Sequence, residues 1–301
     1  MIYFFLAVLG YVLLAIVNIL DKFILTKKLP KPAVYVFFST VFLILLFSLV
    51  PFGAGFLDSG FDYLIAGLAG FAFMSAVWLM YTGFCQSEIS HAGPMIGSAV
   101  AMFVFLLSSL FLREQLSLLQ IFGVLVLVAG SLMISFEKSR LHTGWHKGIF
   151  WLIGGGLMFA ISHVASKYIY DGYGFFTGLV WTRGFVGFFG LCLLFYPPVF
   201  RALFGARQTK SQTSWQQFGL VFFNQFMAVT ATVLIQLAIA LGSVIIVNAL
   251  AGIQYAFLVV AVWLVTKFHP KLFAEKFTRG EFRNELISVL IISSGLVLLL
   301  I

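Results

Sequence analysis

Charge is what this sequence lacks. Asp, Glu, Lys and Arg make up 9% of its 301 residues, against about 25% in a soluble globular domain. Hydrophobic residues make up 62%, and the mean hydropathy is +1.09. A water-soluble fold of this length could not cover its surface with so few charges. Soluble enzymes, nucleic-acid-binding domains and disordered chains are therefore excluded, and a polytopic membrane protein is what remains. Cysteine is nearly absent. Cys85 and Cys192 lie in or beside apolar runs and imply no disulfide framework. Also missing is the period-two alternation of a membrane β-barrel strand. Met1 opens directly on an apolar run, with no basic stretch or small-residue cleavage site, so no cleaved signal peptide is expected.

What is present is a succession of apolar runs. A crossing takes about 20 residues, so ten crossings consume roughly 200 and leave no room for a soluble domain. The runs predict an all-α fold of ten transmembrane helices near residues 1–20, 33–51, 62–83, 92–112, 117–136, 148–168, 174–196, 217–241, 243–266 and 284–301. Pro30, Pro32, Pro51, Pro197 and Pro198 mark breaks between them. The turn near Gly242 and Ser243 is necessarily tight. Small-residue spacings such as Ala66/Gly70 and Gly156/Ala160 let helix backbones approach closely.

Two echoes suggest an internal repeat. Asn18, Asp21 and Lys22 close helix 1 in the same pattern in which His163, Ser166 and Lys167 close helix 6. Glu114 precedes helix 5, which carries Gly130, as Glu275 precedes helix 10, which carries Gly295. The chain thus divides into five-helix copies, residues 1–140 and 141–301. Five is odd, so the copies face opposite ways. Inverted repeats are a device of secondary transporters, with the substrate site near the midplane between the halves. Nearly all Lys and Arg fall in the odd-numbered connections, whereas the even-numbered set holds Arg113 and Lys167. The positive-inside rule then places the odd-numbered connections in the cytoplasm and both termini outside.

Residues 83–135 contain Pro94 early in helix 4, then an apolar run ending at Glu114, then Leu116, Ser117, Gln120, Gly123 and Gly130. This pattern resembles the EamA-like branch of the drug/metabolite transporter superfamily. The second copy resembles it more loosely, through Gly242, Glu275 and Gly295. A Lys near the ends of helices 1 and 6 and an Arg in helix 7 fit as well. The resemblance covers nearly the whole chain and implies two inverted repeats and transport of a metabolite. The sequence departs from the family in two respects. Connection 2–3 is acidic (Asp58, Asp62), with an orientation opposite to the usual one, and helix 2 lacks an Arg.

An ionisable group in hydrocarbon costs about 2.5–3.5 kcal/mol on insertion scales, so it faces a partner, a cavity or the interface. On that ground Asn18, Lys22, Trp78, His163, Arg183, Gln236, Asn248 and Gln254 are the candidate cavity residues, with Asp21 and Glu88 as candidates for ion coupling. Lys22 could equally snorkel, and Trp78 could anchor at the interface. Arg183 could hold an anionic group or form an internal ion pair. His142 and His146 lack the further ligands of a zinc site, and no metal or cofactor is expected. The expected activity is secondary transport of a small polar or amphipathic metabolite in the plasma (cell inner) membrane, by alternating access, with proton coupling or exchange as the drive. A flippase for a lipid-linked substrate is the alternative, and a membrane-embedded enzyme is weaker because the polar groups are dispersed. The expected partners are the substrate and membrane lipid, with no nucleic acid; a monomer and a homodimer remain open.

Overall fold

The computed structural model describes residues 2–27, 31–87, 89–135, 137–138, 143–144, 148–204, 215–268, 287–288, 290–291, 294–295 and 298. They are overwhelmingly helical. The helices are α1 (Ile2–Lys27), α2 (Pro32–Thr40), α3 (Gly60–Gln86), α4 (Ile89–Phe111), α5 (Leu118–Ser135), α6 (Ile149–Cys192), α7 (Pro197–Phe204), α8 (Trp215–Leu241), α9 (Val244–Ala249) and α10 (Ala251–Phe268). A two-residue antiparallel pairing, Glu137–Lys138 with Thr143–Gly144, lies between α5 and α6. Six stretches among the described residues are long and apolar enough to cross a membrane. Their outward faces are covered with Phe and Leu, as in Phe222, Phe226, Phe42 and Leu45. In lipid such a surface carries no penalty, which explains why so apolar a chain needs so few charges.

The α6 helix spans 44 residues, about 66 Å if straight, twice the thickness of a bilayer core. It is not straight. Gly174 sits at φ 78°, a left-handed conformation that glycine adopts without steric cost. A Cβ on Gly178 would meet the Tyr170 ring, which places residues eight apart in contact, so the chain doubles back at Gly174. Both arms run along α3. Leu152 packs at Gly83 and Ile169 at Ala66 on the way out; Phe185 packs at Gly70 on the return. The two helices expected at 148–168 and 174–196 are therefore present, the first longer than expected and the second ending earlier, at Cys192, and they are joined without a loop.

The second expected helix, 33–51, differs in kind. It begins as α2, whose Pro32 occupies the first turn where no N–H is missed. From Val41 to Phe52 it becomes a 3₁₀ helix. Runs of this kind beyond three or four residues are uncommon, and the packing explains this one. Gly184, Gly187 and Gly190 line one face of the return arm of α6, and Cβ atoms there would meet Phe47, the backbone of Ile44, and Thr40 respectively. The 3₁₀ backbone lies directly in that glycine groove. Its side chains then repeat every three residues. Phe42, Leu45 and Ser48 are exposed, while the faces of Leu43/Leu46 and Ile44/Phe47 are half-buried. In an unbroken apolar run, nothing in the sequence distinguishes this from an α-helix.

Pro197 and Pro198 follow the break at the end of the return arm and start a further short helix, α7. Two other expectations change. The ninth expected helix, 243–266, is divided between α9 and α10, with Leu250 between them. The tenth, 284–301, lies mostly outside the described residues, although Gly295 packs against Gly123 and Leu127 of α5. At the tight turn before α9, Ser243 caps the helix by accepting from the Ile246 N–H at 3.3 Å.

Candidate functional site

A cavity of about 230 Å³ lies among α1, α2, α3, α4, α6, α8, α9 and α10, together with the 3₁₀ segment. Seven of the sequence candidates line it: Asn18, Asp21, His163, Arg183, Gln236, Asn248 and Gln254. All are buried. They come from α1, both arms of α6, α8, α9 and α10, so residues far apart in sequence converge on one space. Most of the remaining lining is aliphatic or aromatic.

Asp21 is heavily partnered. The Tyr35 hydroxyl donates to Oδ1 at 2.5 Å, the Asn224 side-chain amide to Oδ1 at 2.7 Å, and the Tyr81 hydroxyl to Oδ2 at 3.3 Å. Asn224 also donates to the Tyr35 oxygen at 3.0 Å. The network ties α1, α2, α3 and α8 around one carboxylate. Tyr35 is fully buried and was not singled out in the sequence. The signal available was a tyrosine inside an apolar helix, whose hydroxyl needs a partner.

On the opposite wall, His163 Nδ1 lies 2.7 Å from Asn248 Oδ1. Asn248 donates its own amide to the Val244 carbonyl at 2.8 Å. That bond fixes which end of the amide faces the histidine, so Nδ1 carries a proton and donates. Gln236 accepts from the Tyr170 hydroxyl at 2.9 Å.

Arg183 is treated differently. It is 3% exposed, its guanidinium carbon sits 4.2 Å from the centre of the Phe73 ring, and Tyr170 bears on it electrostatically. The Tyr170 hydroxyl oxygen approaches the guanidinium; none of the three nitrogens makes a well-formed hydrogen bond among the described residues, and no carboxylate pairs with it there. The ring-face contact contributes about 2 kcal/mol when desolvated, which does not replace five satisfied donors. The arrangement leaves a forked cation facing a cavity and able to take a planar or tetrahedral anion in bidentate fashion.

Three sequence candidates fall elsewhere. Lys22 does not line the cavity: its ammonium donates to the Phe84 carbonyl and, at 2.6 Å, to the Ser87 carbonyl. It thus satisfies the end of α3, where carbonyls lack intrahelical partners. Trp78 does not line it either. Its ring packs edge-on against Tyr196 at 5.3 Å, consistent with an interfacial anchor. Glu88 lies outside the described residues. Lys167, the counterpart of Lys22 in the repeat echo, pairs with Asp171 at 2.9 Å and reaches the Ala240 carbonyl near the end of α8 at 3.4 Å. Cys85 and Cys192 are both free thiols.

Glu114, prominent in the sequence pattern, is also away from the cavity. Its carboxylate accepts from the Ser243 hydroxyl at 2.7 Å and the Val244 N–H at 3.1 Å. It satisfies an orphan donor at the start of α9 and complements the positive end of that helix.

No family model and no curated protein matches the chain. A solved structure described only as a crystal structure of a protein is similar, with a TM-score of 0.63 at 13% identity, over 98% of this chain and 93% of that one. At that identity the likeness speaks for a shared fold across essentially the full length of both chains.

Proposed function

We propose that the protein is a secondary transporter of the EamA-like, drug/metabolite type, carrying a small polar or amphipathic metabolite with an anionic group by alternating access to the central cavity. The observation that carries this reading is Arg183, a buried cation that faces the cavity without a well-formed hydrogen bond among the described residues. A charge in that position is costly, and a ligand that completes it offsets the cost. Two further observations support paired, inverted halves. Lys22, ending the first helix of one half, holds the end of α3, while Lys167, at the matching place in the other, reaches the end of α8. Gly123 of α5 meets Gly295 of the closing segment, so the equivalent fifth helices of the two halves touch. Rocking of one half against the other would expose the cavity to each side in turn. The site belongs in the plasma (cell inner) membrane on this reading. Asp21 and His163 are the groups in reach of the cavity that could carry a coupled proton.

Uptake of a mixed metabolite pool into proteoliposomes, read by mass spectrometry with and without a pH gradient, tests the proposal. Protein-dependent accumulation of an anionic compound is expected. A compound chemically converted by the protein in detergent, where no compartments exist, would overturn it in favour of an enzyme.

A further inference from the structure

The walls of the cavity are unequal. Residues contributed by α1, α4 and α10 are buried with few exceptions, whereas α8 contributes, besides the buried Ile235 and Gln236, a run of residues that are not buried, Gln225, Ala228, Val229, Thr232 and Val233, with Val229 42% exposed. The facing residues of the 3₁₀ segment, Leu43 and Leu46, are half-buried. That segment packs on α6 and α2, while α8 packs on α1; the two are not among the element pairs that pack extensively. At the α2 end α8 is tied by two hydrogen bonds, from the buried Asn224 amide to the Tyr35 oxygen at 3.0 Å and from the Gln225 amide to Ser39 Oγ at 2.8 Å. Beyond it the cavity wall passes into the outer surface, where Phe42, Leu45, Phe222 and Phe226 are exposed. The opening therefore faces lipid.

We infer that the ligand is an amphipathic anion, its charged head on Arg183 and its apolar tail leaving between the 3₁₀ segment and α8 into the bilayer. This rests on the transport reading above and names its substrate class. Two observations favour a tail. A volume of about 230 Å³ falls below the roughly 300–1,000 Å³ of sites that enclose a whole drug-sized ligand, so it accommodates a head rather than a complete amphiphile. The lining contributed by the 3₁₀ segment, the return arm of α6 and the less buried part of α8 is, moreover, mostly apolar: Leu43, Leu46, Leu179, Val229 and Val233, with Gln225 and Thr232 as the polar exceptions on α8. It suits a hydrocarbon chain and gives a soluble polyanion few groups to bond.

The test is binding to the purified protein in detergent, read by native mass spectrometry, with three probes. Farnesyl phosphate has head and tail, farnesol has the tail alone, and inorganic phosphate has the head alone. Farnesyl phosphate is expected to bind at least about tenfold more tightly than either partial probe, one factor of ten being about 1.4 kcal/mol. Val229→Trp, which enlarges an exposed lining side chain of α8, is expected to weaken farnesyl phosphate about tenfold while leaving the folded yield intact; Leu46→Trp on the 3₁₀ segment provides a second variant. If phosphate binds as well as farnesyl phosphate and neither Trp variant matters, the anion comes from water: the tail inference fails and the transport reading stands. If farnesol binds as well as farnesyl phosphate, Arg183 holds no anion, and both the inference and the observation that carries the transport reading fail.

Discussion

Asp21 and Arg183 are the two oppositely charged side chains that line the cavity, and the protein holds them in opposite ways. The carboxylate accepts hydrogen bonds from Tyr35, Tyr81 and Asn224. The guanidinium lies over Phe73 with no well-formed hydrogen bond among the described residues. Both are buried. The contrast separates two uses of charge in a membrane. A charge whose partners come from several helices fastens those helices together; a charge without a well-formed hydrogen bond among the described residues is, on the transport reading proposed above, open to a ligand.

The largest effect expected from this comparison is on Asp21. Asp21→Ala removes the acceptor shared by three donors, and each buried donor left unsatisfied costs about 1–3 kcal/mol. The combined loss, about 3 kcal/mol or more, corresponds to a fall in unfolding temperature of about 6 °C or more for a chain of this size. Asp21→Asn keeps an acceptor oxygen and is expected to recover much of it. Thermal unfolding in detergent reads both. An unchanged midpoint in the alanine variant would remove the fastening role and leave Asp21 equivalent to Arg183.

Arg183 is the other arm. Arg183→Gln orphans no protein group, so the unfolding temperature is expected to stay close to that of the wild type. Hydrogen bonds to a charged group contribute about 1.5–3 kcal/mol, so affinity for an anionic ligand is expected to fall about tenfold to a hundredfold, read by titration of the ligand found in the uptake experiment. A collapse in folded yield matching that of Asp21→Ala would make Arg183 structural and erase the distinction.

The same two residues show what could be read from the sequence. Asp21, Arg183, Asn18, His163, Gln236, Asn248 and Gln254 stand out as polar groups in apolar runs, and the cost of burying them predicts that they converge. Lys22 and Trp78 stand out equally but satisfy a helix end and an aromatic contact instead. Near a membrane interface, the same residue types serve anchoring and binding, and spacing does not separate them. The reversal at Gly174 was legible as a boundary but not as a turn without a loop. The 3₁₀ segment was not legible, because its cause lies in Gly184, Gly187 and Gly190, more than a hundred residues away.

That groove makes a smaller, sharper prediction. A methyl group on Gly187 would overlap the backbone of the 3₁₀ segment at Ile44, which has no flexible side-chain end to move aside. Overpacking of this kind costs about 1–3 kcal/mol, so Gly187→Ala is expected to lower the unfolding midpoint by about 2–8 °C. Gly172→Ala, at an exposed helical site with nothing within 4 Å, is the control and is expected to be neutral or slightly stabilising. Equal effects would mean that the 3₁₀ geometry does not depend on the groove.

The smallest expected effect concerns the less buried of the two hydrogen bonds between α2 and α8. Ser39 and Gln225 are each half-buried and bond at 2.8 Å, in contrast to the buried Asp21 network one helical turn away along α2. Ser39→Ala removes one hydrogen bond between neutral, half-buried groups, a net loss of about 0.5–1.5 kcal/mol, below that of Asp21→Ala. Its effect on ligand exchange is expected to run the other way. With this tie between α2 and α8 cut, the α2 end of the opening loosens and bound farnesyl phosphate dissociates faster. A dissociation rate raised while stability barely moves would separate the closing of the opening from the fastening of the fold. A large loss of stability instead would place Ser39 and Gln225 within the same structural network as Asp21.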